Sequence, residues 1–385
     1  MPEPTLAADG DQQATSKLLL VTGPGRSGTS AVTGALSQLG VHVPPPLVDW
    51  NRSNTKGFYE TRWVVDFQRE VLKKAHTYEF DADPLAPTRV TKAVNDTTQK
   101  RLNDWLAEAA DGHQQMVIKD PRSVWLHPLW TTAATESGLT LCYLTMLRHP
   151  TEVVGSRSKY YGSAKDPRKA RDYMISKVAG WINVSLLNER QTRGRPRAYV
   201  RYTDLLADWR TTLGQARDAV GLEFNADLSS GEPNPVDEFI SPELHRVKTS
   251  WDELDVPAEL QEIAEQTWTV CSRLADDPDA ELAGEFDELS ETYAARYRDA
   301  AAISSDTLTS AVSRARDEAA KKARKEIQAK LDEAQAALAA ATEKQQAAEE
   351  AATEQSGALP PSALDQARRL GSQAVDAVRR RLARR

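Results

Sequence analysis

The six residues Gly25-Arg26-Ser27-Gly28-Thr29-Ser30 gather backbone amides, one guanidinium and three hydroxyls into a short length of chain. The chemistry open to such a set is oxyanion binding, with N–H groups converging on the anion and a helix N-terminus adding its dipole. The spacing Gly23-x-x-x-x-Gly28 is that of a nucleotide-binding phosphate loop, but the next position, which that motif gives to lysine, is Thr29. In a kinase or ATPase that lysine carries the charge of the transferred phosphoryl group. Without it, the loop holds a different nucleotide or draws its positive charge from elsewhere.

Two other stretches offer that charge. In MVIKDPR the apolar run Met116–Ile118 ends on Lys119, and in LTLCYLTMLRHP the run Leu141–Leu147 ends on Arg148, with Ser156 eight residues further on. Eight residues is just over two helical turns, so an arginine before a helix and a serine on it can hold a second phosphate. Taken singly, Arg148 and Ser156 read as a surface arginine and an ordinary helix serine. Their pairing with the glycine loop reverses that reading.

These residues need a scaffold that brings them to one edge. Short apolar runs at Leu18–Thr22, Met116–Lys119, Leu141–Leu147 and Ala198–Tyr202, each followed by a helical pattern, predict a parallel α/β sheet of P-loop type flanked by helices. In such sheets ligands gather at the carboxyl ends of the strands, which is where the loop, Lys119 and Arg148 fall. Between the first two strands lies an insertion with helices expected near Glu60–His76 and Asp96–Ala110, preceded by the proline-rich bend VPPPLVDWNRSNTKG. Residues 1–16 read as disordered, 17–300 as the α/β domain, 301–355 as a long helix or weak coiled coil, and 356–385 as a basic amphipathic helix.

The loop, the Arg148…Ser156 pair and the KDP at the second rim strand together resemble the PAPS-dependent sulfotransferases, over most of Lys17 to about Ser250. The pattern is most similar to the RSGT-and-KDP group, which includes tyrosylprotein sulfotransferases and many bacterial carbohydrate and lipid sulfotransferases. The resemblance implies that Gly25, Arg26, Ser27, Gly28, Thr29 and Ser30 grip the 5′-phosphosulfate of PAPS, and that Arg148 and Ser156 grip its 3′-phosphate. Tyr202, in VRYTDLL, would lie near the adenosine, and PAP would be the product. The acceptor it implies is a hydroxyl of a carbohydrate, glycolipid or small metabolite.

Sulfuryl transfer requires stabilisation of the charge that builds on the leaving phosphate, a task for Lys119 and Arg26, and a base for the acceptor hydroxyl. Cytosolic members of the family carry a histidine two residues after the rim lysine; here Pro121 stands there. The RSGT-and-KDP group uses a glutamate downstream of the first helix, and Glu60 in NTKGFYETRW is the match, with Asp120, Asp49, His42 and His127 as alternatives. Trp50, Phe58, Tyr59, Trp63, Tyr160 and Tyr161 are expected either to wall the acceptor pocket or to lie in the core.

Composition narrows the field from the other side. With 385 residues, 40% of them hydrophobic, the chain can bury a substantial core, and its formal charge of -7 argues against a nucleic-acid partner. The two cysteines form no framework, Cys142 reading as a small buried side chain, and the six histidines show no ligand spacing, so no metal is expected. The polar start lacks the apolar segment of a signal peptide, which makes the cytoplasm the expected location.

The tail modifies that expectation. Ile327, Leu331, Ala334, Leu338 and Ala341 form a shallow apolar seam suited to a homodimer through 320–345 or to a solvated spacer. Residues 362–385 carry arginines such as Arg369 and Arg380 beside small apolar residues, which fits docking on an acidic partner helix or peripheral attachment to the inner face of a membrane. Two rival functions stand beside the sulfotransferase: a P-loop kinase or NTPase, with MVIKD as a Mg²⁺-binding strand end, and a scaffold that kept the nucleotide fold without catalysis.

Overall fold

The computed structural model describes residues 16–50, 54, 56–161, 166–245, 248–354, 365–366 and 369–373. The chain begins β1 (Lys17–Thr22), α1 (Thr29–Gln38), α2 (Arg62–Lys74), α3 (Ala86–Ala93), α4 (Asp96–Ala110), β2 (Gln115–Lys119), α5 (His127–Glu136) and β3 (Thr140–Leu147). It continues α6 (Pro150–Tyr161), α7 (Pro167–Thr192), β4 (Arg197–Arg201), α8 (Tyr202–Ala207), α9 (Trp209–Val220), α10 (Pro235–Phe239), α11 (Ala258–Asp276) and α12 (Ala283–Glu354).

The four strands form one parallel sheet in the order β2-β1-β3-β4. Their near-continuous apolar sequences follow from burial on both faces, since parallel strands need helical crossovers that cover the sheet on each side. Alternate residues serve opposite faces. Leu18, Leu20, Met116, Ile118 and Tyr143 pack with Phe67, Trp125 and Trp130. Leu19, Val21, Val117, Cys142 and Leu144 face Val32, Leu36, Leu205 and Leu213. Cys142 is fully buried, as its apolar run indicated, and burial pushes its thiol up to about 12.

A third apolar cluster joins α7, α11 and the first turns of α12, where Phe286, Leu289 and Tyr293 are buried beside Trp181, Ile182 and Cys271. The Tyr293 hydroxyl donates to Ala82 O at 2.6 Å, so this helix is anchored well before residue 301, where the sequence placed its start. The chain divides into two compact units, 1–299 and 300–385. Within the second, Ile327 and Leu331 are exposed, while Ala334, Leu338 and Ala341 are half-buried. Most of 356–385, and with it most of the arginine face, lies outside the described residues, as do residues 1–15. Among the described residues no helix is long and apolar enough to cross a membrane.

α3 adds a helix to the two expected in the insertion, and two local expectations change. α2 begins at Arg62, so Glu60 belongs to the extended stretch before it. Tyr202 is the first residue of α8 rather than the last of β4, because the strand ends one residue earlier at Arg201.

Candidate active site

The glycine loop lies between β1 and α1 and is shaped by backbone positions that only glycine adopts comfortably. Gly23 has φ 111°, and a Cβ there would meet Met146 O at 2.5 Å, so the chain can cross the end of β3 only with hydrogen at this position. Gly28, the residue before α1, has φ 95°, and a Cβ would fall 2.3 Å from the Tyr202 ring. Gly28→Ala is therefore expected to cost about 1–3 kcal/mol of stability. Urea unfolding reads this directly; a variant as stable as the parent would mean the left-handed turn is not required.

Ser27 N–H closes a turn on Pro24 O at 3.1 Å, and Ala31 and Val32 N–H bond to Gly28 O. The N–H groups of Thr29 and Ser30 remain as the helix-start donors with no acceptor inside the helix. Ser27 lies in the same loop with its hydroxyl buried and without a hydrogen-bond partner.

A lysine of the neighbouring strand reaches the start of α1. Pairing of β1 with β2 sets Val21 opposite Lys119, so the Lys119 side chain reaches the start of α1 and donates from Nζ to Ser30 Oγ at 3.2 Å. The same Nζ is 2.6 Å from Glu60 Oε1, with Lys119 3% and Glu60 12% exposed. A buried ion pair between the rim of β2 and the stretch before α2 therefore lies directly beside the loop.

On the other side, β3 delivers Arg148 and α6 delivers Ser156. Arg26 Nε donates to Ser156 Oγ at 3.1 Å, and Arg148 Nη1 donates to Arg26 O at 3.2 Å. The Arg148 guanidinium stands 4.8 Å from the centre of the Tyr202 ring, and its Nε donates to Glu152 Oε2 at 2.9 Å. Glu152 in turn bonds His245 Nε2 at 2.8 Å, and the Tyr202 hydroxyl donates to Leu244 O at 3.0 Å. The late segment near FISPEL thus closes over this rim.

Arg26, Thr29, Ser30, Glu60, Lys119, Arg148, Ser156 and Tyr202 all line one cavity of about 650 Å³. Among the described residues eight lysines and arginines line it against three carboxylates, Asp49, Glu60 and Glu79. That excess sits on a chain of net charge -7, so the basic character is concentrated at the site. Such a lining favours a ligand with several negative charges.

The alternative bases are placed elsewhere or committed. His42 stacks on His113, with ring centroids 3.6 Å apart, beside the first residues of β2 and hence at the opposite end of the sheet. His127 is buried against Tyr143, and burial, with Arg195, drives its imidazole down to about 3. Asp49 lines the cavity but is exposed and paired to Arg62 at 2.7 Å. Asp120 caps the helical turn Pro121–Leu126 and binds Arg122 Nη1 at 2.6 Å. Burial pushes its carboxyl up to about 7, with Arg122 opposing and Glu60 adding to the rise.

The aromatic expectations divide. Phe58 lines the cavity, Trp63 stacks between Phe67 and Trp105, Trp50 is exposed, and the Tyr160 and Tyr161 side chains lie outside the described residues. Tyr59 meets Phe239 edge to face. Several lining residues were not anticipated: Arg69, Glu79, Arg122, Arg157, Tyr173 and Lys177. Arg122 and Arg157 adjoin motif residues and could have been suspected; Glu79 and Lys177 carry no local signal.

Fold and site together define a P-loop-type parallel α/β protein with a long C-terminal helix and a basic cleft at the carboxyl ends of its strands. No protein-family model matches the chain. No curated protein matches it. Among solved structures it is similar to the sulfotransferase domain from the Synechococcus PCC 7002 olefin synthase, at 17% identity over 74% of this chain and 97% of that one, with TM-score 0.35. It is also similar to the sulfotransferase domain from the curacin biosynthetic pathway (15% identity, 65% and 97% covered, TM-score 0.35). A third similar structure is a sulfotransferase from Mycobacterium tuberculosis H37Rv (13% identity, 66% and 77% covered, TM-score 0.35).

Proposed function

We propose that the chain is a sulfotransferase that moves a sulfuryl group from PAPS to a hydroxyl of a carbohydrate, glycolipid or small metabolite. The observation that carries this reading is the meeting of the Arg148–Ser156 pair with the glycine loop in one basic cavity, through the Arg26–Ser156 and Arg148–Arg26 bonds of 3.1 and 3.2 Å. A nucleotide with anionic groups at both its 5′ and 3′ positions answers such a doubled site. The donor set fits it: amides at the start of α1, three arginine or lysine side chains from three rims, and a tyrosine ring beside Arg148.

When bound, PAPS supplies an SO3 group on a phosphate that leaves as an anion. Thr29 and Ser30 N–H, with Arg26, hold the 5′ end, while Arg148 and Ser156 hold the 3′-phosphate. Lys119 Nζ is shared between Glu60 and Ser30, so a small rotation hands its charge to the leaving oxygen and frees a Glu60 oxygen. Glu60 then takes the acceptor proton as the acceptor oxygen bonds to sulfur. The electron pair of the sulfur–oxygen bond that breaks stays on the phosphate oxygen, where Lys119 and Arg26 take up its charge. Asp120 is engaged through Oδ1 with Arg122 and with the turn that follows β2.

Calorimetry tests the reading. PAP is expected to bind tightly without added metal, and ATP with Mg²⁺ weakly; binding of ATP with Mg²⁺ alone would favour a phosphoryl-transfer enzyme instead. Arg148→Ala should weaken PAP about 10²-fold, from the loss of about 2–3 kcal/mol of charge-assisted bonding, and 5′-AMP little. Equal weakening of both nucleotides would remove the 3′-phosphate role. A chain that binds PAP but moves no labelled sulfate into a cell extract would be a scaffold.

A further inference from the structure

The phosphate clasp leaves part of the cavity's charge unexplained. Arg26, Lys119 and Arg148 belong to the clasp, but Lys56, Arg69 on α2, Arg122 after β2, Arg157 on α6 and Lys177 on α7 also line the space. Two of these five are matched by carboxylates, Arg122 by Asp120 at 2.6 Å and Arg157 by Glu79 at 3.1 Å, and Lys56 donates to the Glu238 and Phe239 carbonyls. Among the described residues no carboxylate lies within ion-pair distance of Arg69 or Lys177, and Lys177 instead points its ammonium over the Tyr173 ring, 5.3 Å from the centroid.

Glu79 is the anion around which this wall is organised. Burial alone would raise its carboxyl, yet Arg157 and Arg122, with Lys119 behind them, hold it below the usual carboxylate range. Its Oε1 sits where a Cβ on Gly25 would fall, 2.3 Å away, so the wall abuts the glycine loop. Asp120 and Glu79 together leave the cations of this group in excess. Burial and then Arg157 press the Lys177 ammonium below the ordinary lysine range, with Glu79 and Asp81 opposing. Like charges gathered in a cleft without enough counter-charge repel one another, and an arriving anion relieves that repulsion.

We propose that the acceptor is itself anionic, and that its carboxylate, phosphate or sulfate group is received by the half-buried Lys177 on α7, with the exposed Arg69 on α2 lining the same cavity. This rests on the sulfotransferase reading, because it treats the clasp residues as already engaged by the nucleotide. A neutral sugar or alcohol would leave the half-buried Lys177 without a counter-charge, so the cavity selects hydroxyl compounds with a negative group nearby. Arg122 and Arg157 tune the site through Glu79 rather than serving as its primary ligands.

The test uses the full chain saturated with PAP and titrated with inorganic phosphate. Phosphate is expected to bind saturably, at least about tenfold more weakly in Lys177→Gln and in Arg69→Gln, with PAP affinity retained in both. Acetate in place of phosphate tells whether the wall takes a carboxylate or a tetrahedral ester. No phosphate or acetate binding to the PAP complex, or binding unchanged in both variants, overturns the anionic acceptor and leaves the sulfotransferase reading standing. Failure of PAP itself to bind overturns both.

Discussion

Lys119→Met is expected to slow single-turnover sulfate transfer from PAPS by about 10²–10³-fold while PAP still binds. Methionine keeps the length and burial of the lysine stem, so the 3% exposed site stays filled and only the charge is removed. That charge stands beside Ser30 at the start of α1. The loss should appear in the rate rather than in PAP affinity, because the lysine is needed most when the leaving oxygen becomes anionic. A transfer rate within threefold of the parent would assign leaving-group stabilisation to Arg26 and the amides alone.

Glu60→Gln is the second large effect, a fall in transfer of about 10²–10⁴-fold from loss of the proton acceptor. Glutamine preserves shape and can still accept from Lys119, so folding and PAP binding are retained. The two residues share one ion pair, and the double variant Glu60→Gln/Lys119→Met should be far less impaired than the product of the single effects. Unchanged turnover in Glu60→Gln would remove the base assignment and leave the nucleotide clasp intact. Thermal unfolding of each variant beside the rate separates chemistry from stability.

The motif residues were readable because each lies at a strand end with its own local signal. Gly23 to Ser30 announce a turn that needs small residues, and the apolar runs ending on Lys119 and Arg148 announce buried parallel strands opening at a rim. The tyrosine at 202 was placed one residue into the wrong element, since nothing local distinguishes the last residue of a strand from the first of a helix. Asp120 illustrates the opposite case: from KDP alone it could be a base or a metal ligand, and only the structure shows its Oδ1 capping Pro121–Leu126 and bound to Arg122 while Oδ2 is buried without a partner.

From the chain alone came the sheet, the glycine loop after its first strand and the positions of Arg148 and Ser156 at a rim, because short-range periodicity and backbone permissiveness are local properties. Only the folded molecule reveals the Glu60–Lys119 contact, joining residues 59 apart in sequence, and the wall of Glu79, Arg157 and Lys177 contributed by separate elements. Charge compensation depends on distance in space, and strand order and helix packing set that distance. A sequence displays which cations it has; the fold decides which of them meet a carboxylate and which are left to meet a ligand.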